Sequence, residues 1–175
     1  MFNKTGGTLN AVIDDLEFAS SKRIPVDGFD AVADSAALKK AWPGFDAGNP
    51  APEQMERITV NGKGALKCVT GSRTYSVICH EVKNPAPGKA EALTLKLAGV
   101  PGNDRSCAIV FGIRRDAGQP NFAQMQVTPG LKTGEFILSS PELKKLDRFM
   151  VVLSFHKTGG KFDAVIEEVA VQSLP

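Results

Sequence analysis

The chain has 175 residues, 42% of them hydrophobic and 23% charged, with a formal net charge of +2. That length suits one domain with a sizeable core, and the even scatter of Lys and Arg among acids lacks the basic face of a nucleic-acid binder. No apolar run approaches the ~18 residues that cross a bilayer as a helix, which sets a membrane role aside. Residues 1–10 lack the charged start and apolar stretch of a secretory leader, so synthesis and first folding in a cytoplasm are expected.

Taken in chain order, short β-rich segments separated by Gly, Pro and Asn predict strands at 8–13, 15–19, 56–60, 64–70, 74–82, 92–99, 106–115, 122–128, 134–139, 148–156 and 161–172. Between the second and third, Asp34 is placed to cap a short helix over Ser35–Trp42, stopped by Pro43-Gly44. Residues 43–54 then read as a loop, and Asn61-Gly62-Lys63-Gly64 as a hairpin turn. Leu93, Leu95 and Leu97 alternate with Thr94 and Lys96, the pattern of a half-buried strand. Cys107, Ile109, Phe111 and Ile113 repeat it, with Ala108 and Val110 making that strand apolar on both faces, as a central strand would be. Residues 84–88 and 117–121 are loops, and Pro141 opens a single helical turn up to Asp147. Strands so short and so evenly spaced predict an all-β fold, a jelly-roll-like antiparallel β-sandwich with one short helix.

The two ends of the chain repeat one another. Residues 2–20 align without a gap onto 155–173, and nine of the 19 positions are identical. Lys4-Thr5-Gly6-Gly7 matches Lys157-Thr158-Gly159-Gly160, and Ala11-Val12-Ile13 matches Ala164-Val165-Ile166. The repeat reads as a duplicated end-hairpin, of strand, Lys-Thr-Gly-Gly turn and strand, whose N-terminal copy keeps only Phe2 and Asn3 of its first strand. The expected organisation is therefore an N-terminal β arm over 1–23 and a sandwich over 24–175. Phe2, Val12, Leu16 and Phe18 are the arm's expected contact residues, docking on the same chain or, by strand addition, on a neighbouring one.

The segment Gly159-Gly160-Lys161-Phe162-Asp163-Ala164-Val165-Ile166-Glu167-Glu168-Val169-Ala170-Val171 resembles the last strand of jelly-roll carbohydrate-binding modules. Asp27-Gly28-Phe29-Asp30, followed by Leu38 and Trp42, resembles the start of such modules. The resemblance implies a sandwich over residues 27–175 and a glycan as a possible partner, with Trp42 as a ligand platform. Against it stands a single Trp and a single Tyr, where such modules stack sugars on two or three exposed rings. The same architecture resembles bacteriophage decoration, cement and tail-accessory proteins.

Catalytic constellations are not found: there is no phosphate-cradling glycine loop and no Gly-x-Ser-x-Gly elbow. His80 follows Cys79 in an apolar strand, and His156 precedes a turn where the repeat carries Asn3. Cys79 and His80 with Cys107 would form a zinc or nucleophile site only if their strands converged. Cys68, Cys79 and Cys107 are odd in number and lie in apolar runs, so they read as buried thiols. Asp163, Glu167 and Glu168 are calcium candidates, although strand alternation sends neighbouring acids to opposite faces unless a bulge intervenes. Solvated edge charge is the competing account.

The expectation is a non-enzymatic virion structural protein without cofactor, made in the host cytoplasm. It would be a phage capsid decoration, cement or tail-accessory component that forms homo-oligomers and contacts other virion proteins. The alternative is a carbohydrate-binding module or lectin-like domain.

Overall fold

A computed structural model describes residues 21–27, 29–46, 48–98, 107–127, 134–160 and 162–173. The repeat copy at 2–20 lies outside them, as do the predicted strands at 8–13 and 15–19 and the arm residues Phe2, Val12, Leu16 and Phe18.

Two antiparallel sheets face each other. One joins β2 (Gln54–Val60), β3 (Lys63–Val69), β10 (Asp163–Ser173), β5 (Ala90–Ala98) and β8 (Gly134–Ser139) in that order. A further strand, β1 (Lys22–Asp27), lies beside the C-terminal half of β10, from Lys22 opposite Ser173 to Asp27 opposite Val169. The other sheet runs β4 (Tyr75–Lys83), β9 (Arg148–His156), β6 (Ala108–Arg114), β7 (Ala123–Val127). The molecule is the expected jelly-roll β-sandwich. Between the sheets pack Leu66, Cys68, Ile78, Leu93, Leu95, Leu97, Ile109, Phe111, Ile113, Phe149, Val151, Leu153, Phe155, Ile166, Val169 and Val171. These are the inward members of the alternating runs, and each large side chain so buried contributes ~1.5–3 kcal/mol.

Local signals place several elements where the sequence predicts them. The helix α1 (Ser35–Ala41) starts at Asp34, whose Oδ1 accepts from the amides of Ala36 at 2.9 Å and Ala37 at 2.8 Å. Asn61 and Gly62, at φ 51° and 79°, supply the two left-handed positions of the tight turn between β2 and β3. A 3₁₀ turn spans Pro141–Lys145.

Two expectations are corrected. β1 was not anticipated as a strand, because Pro25 and the flanking charges hide its pattern. The repeated end-hairpin is not a hairpin in its C-terminal copy. β9 pairs with β4 and β6 in one sheet, whereas β10 pairs with β1, β3 and β5 in the other. The chain therefore crosses from sheet to sheet between β9 and β10, as it does between β3 and β4. The two crossings are tied together: Lys157 Nζ donates to the carbonyls of Gly71 and Gly160, and the Thr70 amide donates to the Phe162 carbonyl at 3.2 Å. A Gly-Gly turn between alternating strands serves either geometry, so sequence does not separate them.

Candidate ligand-binding face

Trp42, the expected platform, cannot present its ring. It is 0% exposed, stacks on His80 with centroids 4.9 Å apart, and donates from Nε1 to Asp27 Oδ2 at 2.7 Å. Its ring anchors the end of α1 in the core, 6.1 Å from Phe29. The rest of the Asp-Gly-Phe-Asp segment is equally structural. Asp27 Oδ1 accepts from the Phe29 amide at 2.8 Å, and Asp30 Oδ1 accepts from the Gly64 amide at 2.5 Å.

The acidic candidates on β10 do not make a cation site. A bulge between Ile166 and Glu168 lets Glu167 and Glu168 line the same shallow cleft beside Lys63 and Lys96. Each is already matched by a cation: Lys96 Nζ lies 2.6 Å from Glu167, and Arg23 pairs with Glu168. Asp163 is buried at the far end of β10, opposite Val69. Among the described residues, no three His, Cys, Asp or Glu side chains gather as a metal would need. His80 Nδ1 lies 2.8 Å from the Ala41 carbonyl, and all three cysteines are buried and outside any disulfide.

The outward face of the six-stranded sheet is closed off by charge. Arg23 pairs with Glu168 on β10 and with Glu135 on β8, two strands separated by β5. Its guanidinium therefore reaches across small buried residues, Ala170 and Thr94, at matched register. Beyond it, at the sheet end, Ile137 stands 53% exposed beside a groove of about 320 Å³ that Ser21, Ala92, Ser139 and Gln172 help to line.

The outward face of the four-stranded sheet is of another kind. Register places its side chains in rows across the strands: Tyr75, His156 and Ala108; then Val77, Ser154, Val110 and Gln126; then Cys79, Val152, Gly112 and Gln124; then Glu81, Met150 and Arg114. From Ala108 to Arg114 the face runs about 20 Å at ~3.4 Å per residue, the reach of a short oligosaccharide or peptide. Residues 43–46 and 48–50 cover its β4 side. The Cys79 amide donates to the Pro43 carbonyl at 3.1 Å and the Val77 amide to the Pro50 carbonyl at 2.9 Å, which occupies the β4 edge. Phe45 from this loop packs on Val77, Cys79 and Val152, walling a lane over β6 and β7 where, among the described residues, Gln124 and Gln126 stand exposed.

Three polar groups in that lane form a chain. Arg114 lies with its guanidinium carbon 4.5 Å above the Phe45 ring and donates from Nε to Asn121 Oδ1 at 2.9 Å. Asn121 Nδ2 donates in turn to Gln124 Oε1 at 3.0 Å. Gly112 makes the arrangement possible, because a Cβ there would collide with the Asn121 amide. At the other end Tyr75, 36% exposed, meets His156 edge-on at 4.8 Å, and partial burial holds that imidazole below its ordinary pKa. Sequence reading missed Tyr75, Arg114, Asn121 and Gln124. For Tyr75, Arg114 and Gln124 the signal was available only as outward positions of strands whose inward neighbours are apolar, and Asn121 lies in the loop between β6 and β7.

No family profile matches the chain, and no curated protein matches it. Solved structures do. A family 11 carbohydrate-binding module of a cellulosomal cellulase of Clostridium thermocellum superposes with TM-score 0.58 at 10% identity, over 90% of this chain and 96% of that one. A family 4 carbohydrate-binding module does so with TM-score 0.58 at 12% identity, over 85% and 99%. The family 11 module from Clostridium thermocellum in complex with a β-1,3-1,4-mixed-linked tetrasaccharide reaches 0.57 at 12% identity, over 88% and 96%. The chain shares their fold.

Proposed function

We propose that this domain is a non-catalytic saccharide-binding module whose ligand lies on the outward face of the four-stranded sheet. The observation that carries this reading is the lane over β6 and β7. It joins, among the described residues, an exposed ring at Tyr75 to hydrogen-bonding side chains at Gln126, Gln124 and Arg114. A sugar presents a C–H face to a ring and hydroxyls to polar side chains, and this lane offers both partners. The fold shared with carbohydrate-binding modules, one of them solved with a tetrasaccharide, adds support.

The test is affinity electrophoresis and calorimetry against a panel of soluble polysaccharides. Binding weakened about tenfold or more in Tyr75→Ala and Gln126→Ala, and unchanged in Ile137→Ser on the opposite sheet, is the expected result. Loss in Ile137→Ser alone, or no binding to any glycan, overturns the reading.

A second reading is the virion structural component, with residues 2–20 of one copy covering a neighbouring copy. It draws on the exposed Ile137 beside the groove at Ser21, where the described chain begins, and on the apolar side of the repeat at Val12, Leu16 and Phe18. Deleting residues 1–20 should then leave a folded domain of lower solution mass by light scattering. An unchanged mass at every concentration removes this reading.

A further inference from the structure

The lane's polar chain has a fixed direction. Arginine only donates, so the group of Asn121 that meets Arg114 Nε must be its oxygen, and its amide nitrogen is left to face Gln124. Gln124 in turn must offer its oxygen to that nitrogen. Each of these two oxygens thereby already accepts one hydrogen bond inside the chain. The groups that spend nothing inside the chain are the Gln124 amide N–H pair and the terminal nitrogens of Arg114, all donors, with the second N–H of Asn121 beside them.

Charge points the same way. The ion pairs among the described residues pass Arg114 by: Glu81, across Met150 in the same row, is held by Arg148 at 2.9 Å, and neighbouring Arg115 is matched by Glu142 at 2.8 Å. Asp46, next to Phe45, spends its carboxylate on the amides of Gly48 and Asn49, each at 2.8 Å. Phe45 shields one face of the guanidinium, and the Asn121 contact fixes its plane. A half-buried cation held planar, without a carboxylate partner among the described residues and beside a second donor pair, fits a planar acceptor with two oxygens.

We infer that the face selects a saccharide bearing a carboxylate, such as a uronic acid unit, whose acidic group sits between Arg114 and Gln124. This deepens the saccharide reading above and rests on it.

The experiment compares a galacturonic acid oligosaccharide, its methyl ester, a neutral β-glucan oligosaccharide and dextran sulfate on the full chain by calorimetry. The acid form should bind about tenfold or more tighter than its ester. Arg114→Lys, which keeps the charge but loses the fork, should remove most of that preference, and Arg114→Gln all of it. Gln124→Glu guards against misfolding: it keeps the oxygen that Asn121 needs, replaces the donor by a negative charge, and should abolish acid binding with the melting temperature unchanged. Equal binding of acid and ester, or full competition by dextran sulfate, overturns the carboxylate site while the saccharide reading stands. Binding of none of the four overturns both.

Discussion

The indole of Trp42 and the carboxylate of Asp27 meet at 2.7 Å, joining the end of α1 to the end of β1 inside the sandwich. The same carboxylate holds the Phe29 amide, so one acid satisfies two donors that water does not reach easily. Asp27→Ala should cost about 1–3 kcal/mol by stranding them, and Asp27→Asn, which retains an acceptor, less. Urea unfolding followed by the emission of the single tryptophan measures both. An unchanged midpoint in Asp27→Ala would mean the indole is satisfied elsewhere.

Glycine substitutions should rank by what surrounds each. A Cβ at Gly64 would press on the backbone carbonyl of Phe29, where no side chain can move aside, so Gly64→Ala should cost about 2–3 kcal/mol. Gly62, at φ 79°, meets nothing within 4 Å, and its replacement by Ala should cost about 1 kcal/mol through backbone strain alone. Gly159 has open space and should tolerate Ala. Thermal melts that reverse this order would contradict the packing described.

The thiols should be silent in the folded protein. Burial pushes the Cys68 thiol far above its ordinary range, and burial raises that of Cys79 despite the nearby Arg114 cation. Titration with a thiol-reactive chromophore should find no fast-reacting group in the native state and three after denaturation. A fast thiol in the native protein would place one of them at the surface.

Acid should destabilise the fold in two steps. Partial burial holds the His156 imidazole below its ordinary value of about 6.5. The unfolded chain therefore takes up that proton first, and the contribution, full above the ordinary value, is lost as pH falls towards the lowered one. The Ser72 hydroxyl and amide hold the Glu53 carboxyl below its ordinary range. Its contribution is present above about 4.3 and lost as pH falls through the lowered value. Calorimetry across pH should show His156→Gln removing the upper step and Glu53→Gln the lower; survival of either step in its variant refutes that assignment.

Much of the sandwich is legible in the residues. Alternation and turn chemistry mark β2 to β10, and the caps mark α1, because these signals are local. β1 is hidden because its pairing depends on β10, some 150 residues away, and Pro25 disguises it. The Trp42 platform fails for a similar reason: an aromatic beside a loop looks available until Asp27, 15 residues upstream, is seen to claim it. The lane was not legible at all. Arg114 and Gln124 are ordinary outward strand residues until register places them either side of Gly112 and a loop brings Asn121 over it.

The place of β10 in its sheet bears on how the chain is made. The four strands β4, β6, β7 and β9 are complete once residue 156 has emerged from the ribosome. At that point the described strands of the other sheet form three pieces: β1, the β2–β3 hairpin and the β5–β8 pair. Residues 163–173, the last of the described strands to emerge, pair with one strand of each piece. The nascent protein thus carries half a sandwich with its apolar side uncovered until that final strand is delivered. A chain stalled before it would be a ready client for chaperones and prone to aggregate.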